Sequence, residues 1–232
     1  MAGFVSRIQV LFAGTAFLQS LTLKSSFLMK STVQIADRFY ANPENVRKRA
    51  LAMKYSEPEA VTGWRTQVWQ PRGIKSLIER AFRLQIDYWD DSKAIEGGNG
   101  VFFSAFSKGE RAEKVKVHFD EPSDWMSLLV YLTPDAPVDC GTSFWKHRET
   151  GLTAKPKRRD AMRLGLSLEQ LKLVIERDGW TRRCWIEIDR IGNVYNRAVM
   201  FPAGLFHSAT HHFGQSLRDG RLYQSFHFLP VK

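Results

Sequence analysis

Short runs of β-branched and aromatic residues follow one another through residues 98–229, and turn residues separate them. Runs of this length and composition are typical of strands rather than helices. A series of many short strands limits a chain to a β-sandwich or barrel core, because each strand has to bury one face against other strands. The runs are GNGVFFSAF, VKVHFD, MSLLVYLT, CGTSFW, CWIEID, RAVMFPAGLFH and RLYQSFHFL.

Three other segments carry helix signals. The first runs from Asn42, an N-cap residue followed by proline and glutamate, to about Met53. The second lies in residues 73–89, where apolar residues recur at helical spacing. The third begins at Ser167, which forms a capping box with Gln170, and ends at a glycine. Helices before the strands, with one helix inserted among them, predict an α+β fold with a mainly β core.

The chain contains no internal repeat, no low-complexity tract and no linker rich in Gly, Pro or Ser. Its hydrophobic content of 44%, which includes 16 Phe and 7 Trp, is enough for one well-packed core. We therefore predict a single domain over residues 37–232. Cys140 and Cys184 are far apart and form no CxxC motif. This excludes a disulfide framework and a cysteine zinc site, and it indicates a reducing compartment.

Residues 1–36 differ from the rest of the chain in composition. They are apolar and rich in Ser and Thr, and they contain no acid. This composition suits a targeting peptide, in which case the protein is mitochondrial, or a non-native N-terminal extension with translation starting at Met29. A strand or helix packed on the domain is the remaining alternative. Arg7 and Lys24 interrupt the segment, so a transmembrane anchor is not favoured; without a presequence we expect a cytoplasmic protein.

The formal net charge of +10 keeps nucleic acid open as a partner, but the charge is unevenly distributed. Residues 146–163 hold seven basic residues against two acids. A basic stretch of this kind is more often a solvated face than a binding site. The charge alone therefore does not identify a partner.

A histidine and an acid share one face of the run VKVHFD. Apolar and polar residues alternate there, so His118 and Asp120 project to the same side of the predicted strand. Such a pair is a surface pair, a salt bridge or two metal ligands. A second histidine, His207, closes a later strand run. Two histidines and one carboxylate form the facial triad of non-haem Fe(II) oxygenases.

The last run, RLYQSFHFL, supplies a candidate anchor for an acidic ligand. Arg221 opens this run, and Tyr223 and Ser225 share its face at period 2. A guanidinium fork beside a hydroxyl is a natural binder of a carboxylate.

The order of these residues resembles that in the Fe(II)- and 2-oxoglutarate-dependent dioxygenases, in particular their prolyl-4-hydroxylase-like branch. The similar region spans about residues 98–229, and the segments LLVYLTPDAPVDCGTSFWKHRETG and YNRAVMFPAGLFHSA are similar to an uncharacterised microbial and phage family of that superfamily. The resemblance implies a double-stranded β-helix (jelly roll) with supporting N-terminal helices. It also implies Fe(II) bound by His118, Asp120 and His207. The C5 carboxylate of 2-oxoglutarate would pair with Arg221, helped by Ser225.

The sequence departs from the superfamily pattern at three points. Cys140 and Gly141 stand where the superfamily often has two glycines, and Phe106 stands where a tyrosine often bonds the cosubstrate. The spacing from the second metal histidine to the arginine, 14 residues, is wider than usual. His211 and His212 therefore stay open as the second histidine ligand, and Arg218 stays open as the cosubstrate anchor.

We accordingly expect an Fe(II)- and 2-oxoglutarate-dependent dioxygenase, a hydroxylase that releases succinate and CO₂. No motif identifies its substrate, which is a small molecule or a peptidyl side chain. The insert of residues 146–190 is expected at the open end of the barrel, near the iron, because long excursions between strands are often functional. The alternative is a non-enzymatic jelly-roll protein that binds an acidic partner through residues 146–163.

Overall fold

The computed structural model describes residues 33–56, 64–90, 98–110 and 112–231. Most of the segment 1–36, expected to be a targeting peptide or an extension, lies outside the described residues. Its last three residues, Gln34–Ala36, form a strand that pairs with a strand near the C-terminus. Within the described ranges, no helix has the length and apolar character needed to cross a membrane.

The described part of the chain consists of short strands and a few helices. The helices are α1 (Pro43–Ala52), α2 (Ile74–Phe82), α3 (Arg158–Arg163) and α4 (Leu168–Asp178), with a short 3₁₀ turn at Arg182–Cys184. The strands are β1 (Gln34–Ala36), β2 (Trp64–Arg65), β3 (Ile86–Trp89), β4 (Val101–Ala105), β5 (Met126–Tyr131), β6 (Thr142–His147), β7 (Trp185–Ile191), β8 (Ala198–Pro202), β9 (His207–Ala209) and β10 (Arg221–Pro230).

The strands form two antiparallel sheets. The large sheet has the order β1-β8-β5-β10-β4-β2, and β3 pairs with the end of β10. The small sheet has the order β7-β6-β9. Strand β10 is the longest strand and hydrogen-bonds β5 on one side and β4 on the other. It therefore lies at the centre of the large sheet.

Strand β10 separates the hydrophobic core from a polar cavity. Leu222, Phe226 and Phe228 belong to the main core cluster, in which α1 and α2 cover one face of the large sheet. Arg221 and Tyr223 project from the opposite face, because successive side chains of a strand alternate. The apolar face of the sheet thus stabilises the fold, and the other face is left for polar groups.

A smaller cluster joins the two sheets. It contains Tyr131 of β5, Phe144 of β6, and Val199 and Phe201 of β8. The rings of Phe144 and Phe201 meet edge to face at 5.1 Å. The sheets consequently face each other, and the mainly β architecture with supporting helices is confirmed. In the described residues the two sheets do not close into one continuous barrel.

Helix α4 begins and ends as predicted, whereas the extent of the second helix was predicted wrongly and one short helix was not predicted. Ser167 caps α4 through a capping box with Gln170. The second helix was expected to extend beyond Phe82, but α2 ends there and the following residue, Arg83, has a left-handed backbone with φ 51°. The residues after it form β3 instead. The six-residue helix α3 was not predicted.

The segment 115–120 was predicted to be a strand, and the structure gives it only one bridge. His118 pairs with His207, and the neighbouring amides bond elsewhere. The amide of Val117 donates to Gly179 O at 2.9 Å, and that of Asp120 donates to Ala203 O at 2.8 Å. Because each amide has a different partner, no regular ladder forms.

Candidate metal centre

A cavity of about 820 Å³ opens between the two sheets. Residues from the segment 115–120, from β9 and from β10 line it. The five residues that the sequence proposed for the site all lie in its wall: His118, Asp120, His207, Arg221 and Ser225.

His118, Asp120 and His207 converge on one point of the cavity. Asp120 Oδ1 lies 3.6 Å from His118 Nε2, and Asp120 Oδ2 lies 3.5 Å from His207 Nε2. One ligand atom from each residue can be chosen so that all three lie within 4.8 Å of one another. The bridge between His118 and His207, with N–O distances of 3.0 and 2.8 Å, fixes their backbones side by side. A local loop and β9 thus bring together residues 89 positions apart.

Backbone hydrogen bonds orient both imidazoles. His118 Nδ1 lies 3.0 Å from Lys116 O, and His207 Nδ1 lies 2.9 Å from Leu205 O. A carbonyl can only accept, so each Nδ1 carries a proton and donates it. The Nε2 atoms of the neutral rings are then free of protons and face the carboxylate. This is the arrangement in which histidine binds a metal, with the second ring nitrogen held by a carbonyl.

The ionisation states also suit metal binding. Burial disfavours the charged form of Asp120, but the neighbouring histidines and the Ser127 hydroxyl outweigh it and lower its pKa to about 2. Burial lowers the pKa of His207 to about 4, although the Asp120 carboxylate opposes this shift. At neutral pH the acid is therefore ionised and the imidazole is neutral, which are the forms that ligate a metal.

Arg221 is a buried cation with unused hydrogen-bonding capacity. Its side chain lines the cavity, and the residue is 2% exposed. The Nη2 group donates to Gly141 O and to Thr142 Oγ1, each at 3.2 Å. The Nε and Nη1 groups have no acceptor among the described residues. Buried charged donors are rarely left unpaired, so this guanidinium is suited to an acidic ligand in the cavity.

Aromatic rings and hydroxyls surround the guanidinium. Its central carbon lies 5.2 Å from the ring centroid of Tyr131 and 4.8 Å from that of Tyr223. The Tyr131 hydroxyl lies 2.6 Å from Thr142 Oγ1. Gly141 has to be a glycine, because a Cβ there would lie 1.8 Å from Ile191 O. Cys140 replaces one of the two glycines that the superfamily often has. The other, Gly141, is retained, and its carbonyl accepts the hydrogen bond from Arg221.

The expectation that Ser225 assists Arg221 directly is wrong. The two residues are four positions apart on β10, which separates them by about 13 Å along an extended strand. Ser225 Oγ instead lies 3.1 Å from His227 Nε2. The hydroxyls beside the guanidinium are those of Thr142 and Tyr131, which come from β6 and β5.

Two of the three alternatives left open by the sequence lie outside the cavity. His211 and Arg218 are both exposed, and neither lines the cavity wall. His207 and Arg221 occupy the inward positions instead. The wide spacing between these two residues is accommodated by a turn in which Gly214 has a φ of 68°.

Several residues of the site were not found from the sequence. His227, to which the sequence analysis gave no role in the site, lines the cavity. The sequence could have indicated this, because His227 lies two residues after Ser225 on β10 and therefore on the same face of the strand. His212, which the sequence left open as a metal ligand, lines the cavity but is not part of the group formed by His118, Asp120 and His207. Burial together with the charge of Arg221 lowers the pKa of His212 to about 4. The contributions of Ser127 and Tyr131 depend on strand register, which the sequence does not reveal.

The insert of residues 146–190 reaches the same cavity. Glu176 and Trp180, at and just beyond the end of α4, line its wall. Lys116 forms an ion pair with Glu176, and its ammonium lies 5.2 Å from the centre of the Trp180 ring. The insert therefore packs against the segment that carries His118. Its role at the substrate mouth stays a prediction.

The chain is similar to solved structures of low sequence identity. HygX of Streptomyces hygroscopicus, solved with nickel and 2-oxoglutarate bound, matches with a TM-score of 0.50 and 11% identity, over 87% of this chain and 84% of HygX. SnoK, a non-haem α-ketoglutarate-dependent carbocyclase of nogalamycin biosynthesis, matches with a TM-score of 0.49 and 13% identity, over 94% of this chain and 87% of SnoK. A prolyl hydroxylase of Trichoplax adhaerens, in complex with a hypoxia-inducible factor peptide, matches with a TM-score of 0.44 and 12% identity, over 86% and 84% of the two chains.

The likeness to HygX shows that this chain shares the fold of that protein. No curated protein matches the chain at a significant level. The model of DUF6445, a family of unknown function, matches residues 20–226, and the chain belongs to this family.

Proposed function

We propose that the protein is an Fe(II)- and 2-oxoglutarate-dependent dioxygenase that hydroxylates a substrate not yet identified. The overall reaction converts substrate, O₂ and 2-oxoglutarate into hydroxylated substrate, succinate and CO₂. One observation carries the proposal: the convergent His118, Asp120 and His207 share a cavity with the buried Arg221, whose Nε and Nη1 groups have no acceptor among the described residues. A metal triad and a carboxylate anchor in one cavity are what a chelating dicarboxylate requires.

The donor set fits iron. Two imidazoles and one ionised carboxylate, all lining the same cavity, form the two-histidine, one-carboxylate set of non-haem Fe(II) sites. We propose His118, Asp120 and His207 as the iron ligands. When bound, the iron supplies the activation of O₂, and the protein contributes the ligand set and a shaped cavity.

The chain's own residues bind and orient the dicarboxylate. We propose that the free Nε and Nη1 groups of Arg221 donate to its C5 carboxylate, since a planar guanidinium binds a carboxylate through two parallel hydrogen bonds. Thr142 and Tyr131 fix the guanidinium from the other side. Tyr223 covers it and helps to exclude water. We further propose that the two facing sheets correspond to a double-stranded β-helix, which the HygX-like fold supports.

The test is cosubstrate turnover without the unknown substrate. The purified protein is incubated with Fe(II), 2-oxoglutarate and O₂, and succinate is measured. We expect slow uncoupled formation of succinate, and its loss in Asp120→Ala. His211→Ala is the matched control, because His211 is exposed and lies near His207 in the chain. Equal succinate formation in wild type and Asp120→Ala would contradict the proposal. Absence of both metal binding and turnover would favour the non-enzymatic alternative.

A further inference from the structure

Four polar side chains form a continuous row on the cavity side of the large sheet. Ser225 Oγ lies 3.1 Å from His227 Nε2, and His227 Nδ1 lies 3.1 Å from Ser127 Oγ. Ser127 Oγ lies 2.6 Å from Asp120 Oδ2. The row therefore runs from the central strand of the sheet to the carboxylate of the candidate metal centre.

The direction of each hydrogen bond follows from the donor inventory of the side chains. Ionised Asp120 can only accept, so the single hydroxyl proton of Ser127 is donated to it. Ser127 must then accept from His227, whose Nδ1 carries a proton. In the neutral ring, His227 Nε2 has no proton and accepts from the Ser225 hydroxyl. All donors thus point toward Asp120.

The row is built into the pairing of two strands. Ser127 of β5 and His227 of β10 are direct partners in the antiparallel register. Ser127 and Ser225 are buried. The amide of His227 also donates to Asn99 Oδ1 at 2.6 Å, which fixes the strand at this residue. The positions of Ser127 and His227 are therefore set by the sheet and not by the loop that carries Asp120.

We infer that Ser127 and His227 are positioning residues for the metal centre. Ser127 holds Asp120 Oδ2, which fixes the rotation of the carboxylate, and His227 holds the Ser127 hydroxyl in its donating orientation. Among the described residues, no backbone group donates a hydrogen bond to the Asp120 side chain, so this row connects the carboxylate to the sheet. The inference rests on the proposed function, because it concerns the ligand set of the same iron site.

Metal binding without turnover tests the inference. Co(II) is titrated into the full-length protein in the absence of 2-oxoglutarate, and both its dissociation constant and its visible absorption spectrum are recorded. For Ser127→Ala we expect affinity to fall about 10- to 100-fold, the usual effect of removing a hydrogen-bond partner of a metal ligand, with a changed spectrum. Ser127→Thr keeps the hydroxyl and should restore the wild-type spectrum and most of the affinity. His227→Phe keeps the ring shape, and it should resemble Ser127→Ala.

The outcomes separate this inference from the proposed function. If wild type binds Co(II) tightly and both Ser127→Ala and His227→Phe bind it equally well with unchanged spectra, the positioning role is overturned and the iron site stands. If wild type itself binds no Co(II), both fail. Thermal unfolding of each variant is measured alongside. Should Ser127→Ala fail to fold, His227→Phe decides alone, since a merely structural role lowers its unfolding temperature without changing the Co(II) spectrum.

Discussion

At the scale of a single residue, we expect Arg221 to determine the affinity for 2-oxoglutarate. Replacement by alanine removes the only buried cation that we propose for the cosubstrate carboxylate. Loss of one partner from a buried charged pair costs about 3–5 kcal/mol, so we expect Arg221→Ala to weaken 2-oxoglutarate binding by two to three orders of magnitude or more. Iron binding should be spared. Titration of 2-oxoglutarate into the Mn(II)-loaded protein measures the effect.

Arg218→Ala provides the matched control for that measurement. Arg218 lies three residues earlier and is exposed. It should leave 2-oxoglutarate affinity unchanged. The opposite result would be a loss of 2-oxoglutarate affinity in Arg218→Ala and none in Arg221→Ala. It would make Arg218 the anchor and contradict the assignment of Arg221 to the cavity face of β10.

The types of residue that carry the site could be predicted from the sequence, but their supporting partners could not. His118, Asp120, His207 and Arg221 stand in an order that the superfamily resemblance identifies. Ser127 carries no such signal, because a serine in a strand has many roles. It becomes a partner of Asp120 only through the register of β5 against β10 and the path of a loop. Local sequence does not specify either of these.

At the scale of elements, helix α4 connects the insert to the metal centre through Gly179. A Cβ at Gly179 would lie 2.7 Å from Val117 O, next to His118 in the chain. The backbone of Gly179 is otherwise compatible with alanine, since it is right-handed helical with φ −53°. We expect Gly179→Ala to displace the segment that carries His118 and to weaken Co(II) binding by about tenfold.

Ser167→Ala is the control, because it acts on the opposite end of the same helix. It removes the N-cap hydrogen bond to Gln170 and should cost about 1 kcal/mol of stability. It should leave Co(II) affinity unchanged. Urea unfolding and Co(II) titration of both variants separate the two effects. Identical Co(II) affinities in the two variants would show that the contact at Gly179 does not support the metal centre.

Elements with strong local signals were predicted well. The capping box of α4 and the N-cap and proline of α1 mark the starts of those helices unambiguously. The end of α2 was missed, because the apolar spacing continues past Phe82 into residues that pair with β10. The pairing of these residues with β10 determines their structure, although their apolar residues are spaced as in a helix. The segment 115–120 alternates like a strand, and its side chains do alternate, but its amides find no single partner strand.

At the scale of the whole molecule, buried histidines make stability depend on pH. Burial and the charge of Arg221 lower the pKa of His212 from 6.5 to about 4 in the folded protein. At pH values between about 4 and 6.5, this histidine is protonated to a greater extent in the unfolded chain than in the folded protein. The free energy of unfolding therefore falls as the pH falls from about 6.5 to about 4. In His212→Gln, this decrease in the free energy of unfolding should be smaller than in wild type by up to about 3 kcal/mol.

Urea unfolding at pH 7.5 and at pH 4.5 measures that contribution. The loss of stability between the two pH values should be smaller in His212→Gln than in wild type. His211→Gln removes an exposed histidine next to it and is the matched control. A loss in His212→Gln as large as in wild type would show that this histidine does not titrate as expected.

The two faces of β10 restrict how the length of this chain can change among related proteins. A residue gained or lost inside β10 would exchange the faces of the residues on one side of the change, because a shift of one position exchanges the faces of a strand. Arg221 and Phe226 could then no longer both keep their places, so either the carboxylate anchor or part of the hydrophobic core would be lost. Insertions and deletions should therefore be found in the turn of residues 210–220 and be absent from the strand itself. The 14-position spacing from His207 to Arg221 places the additional length in that turn.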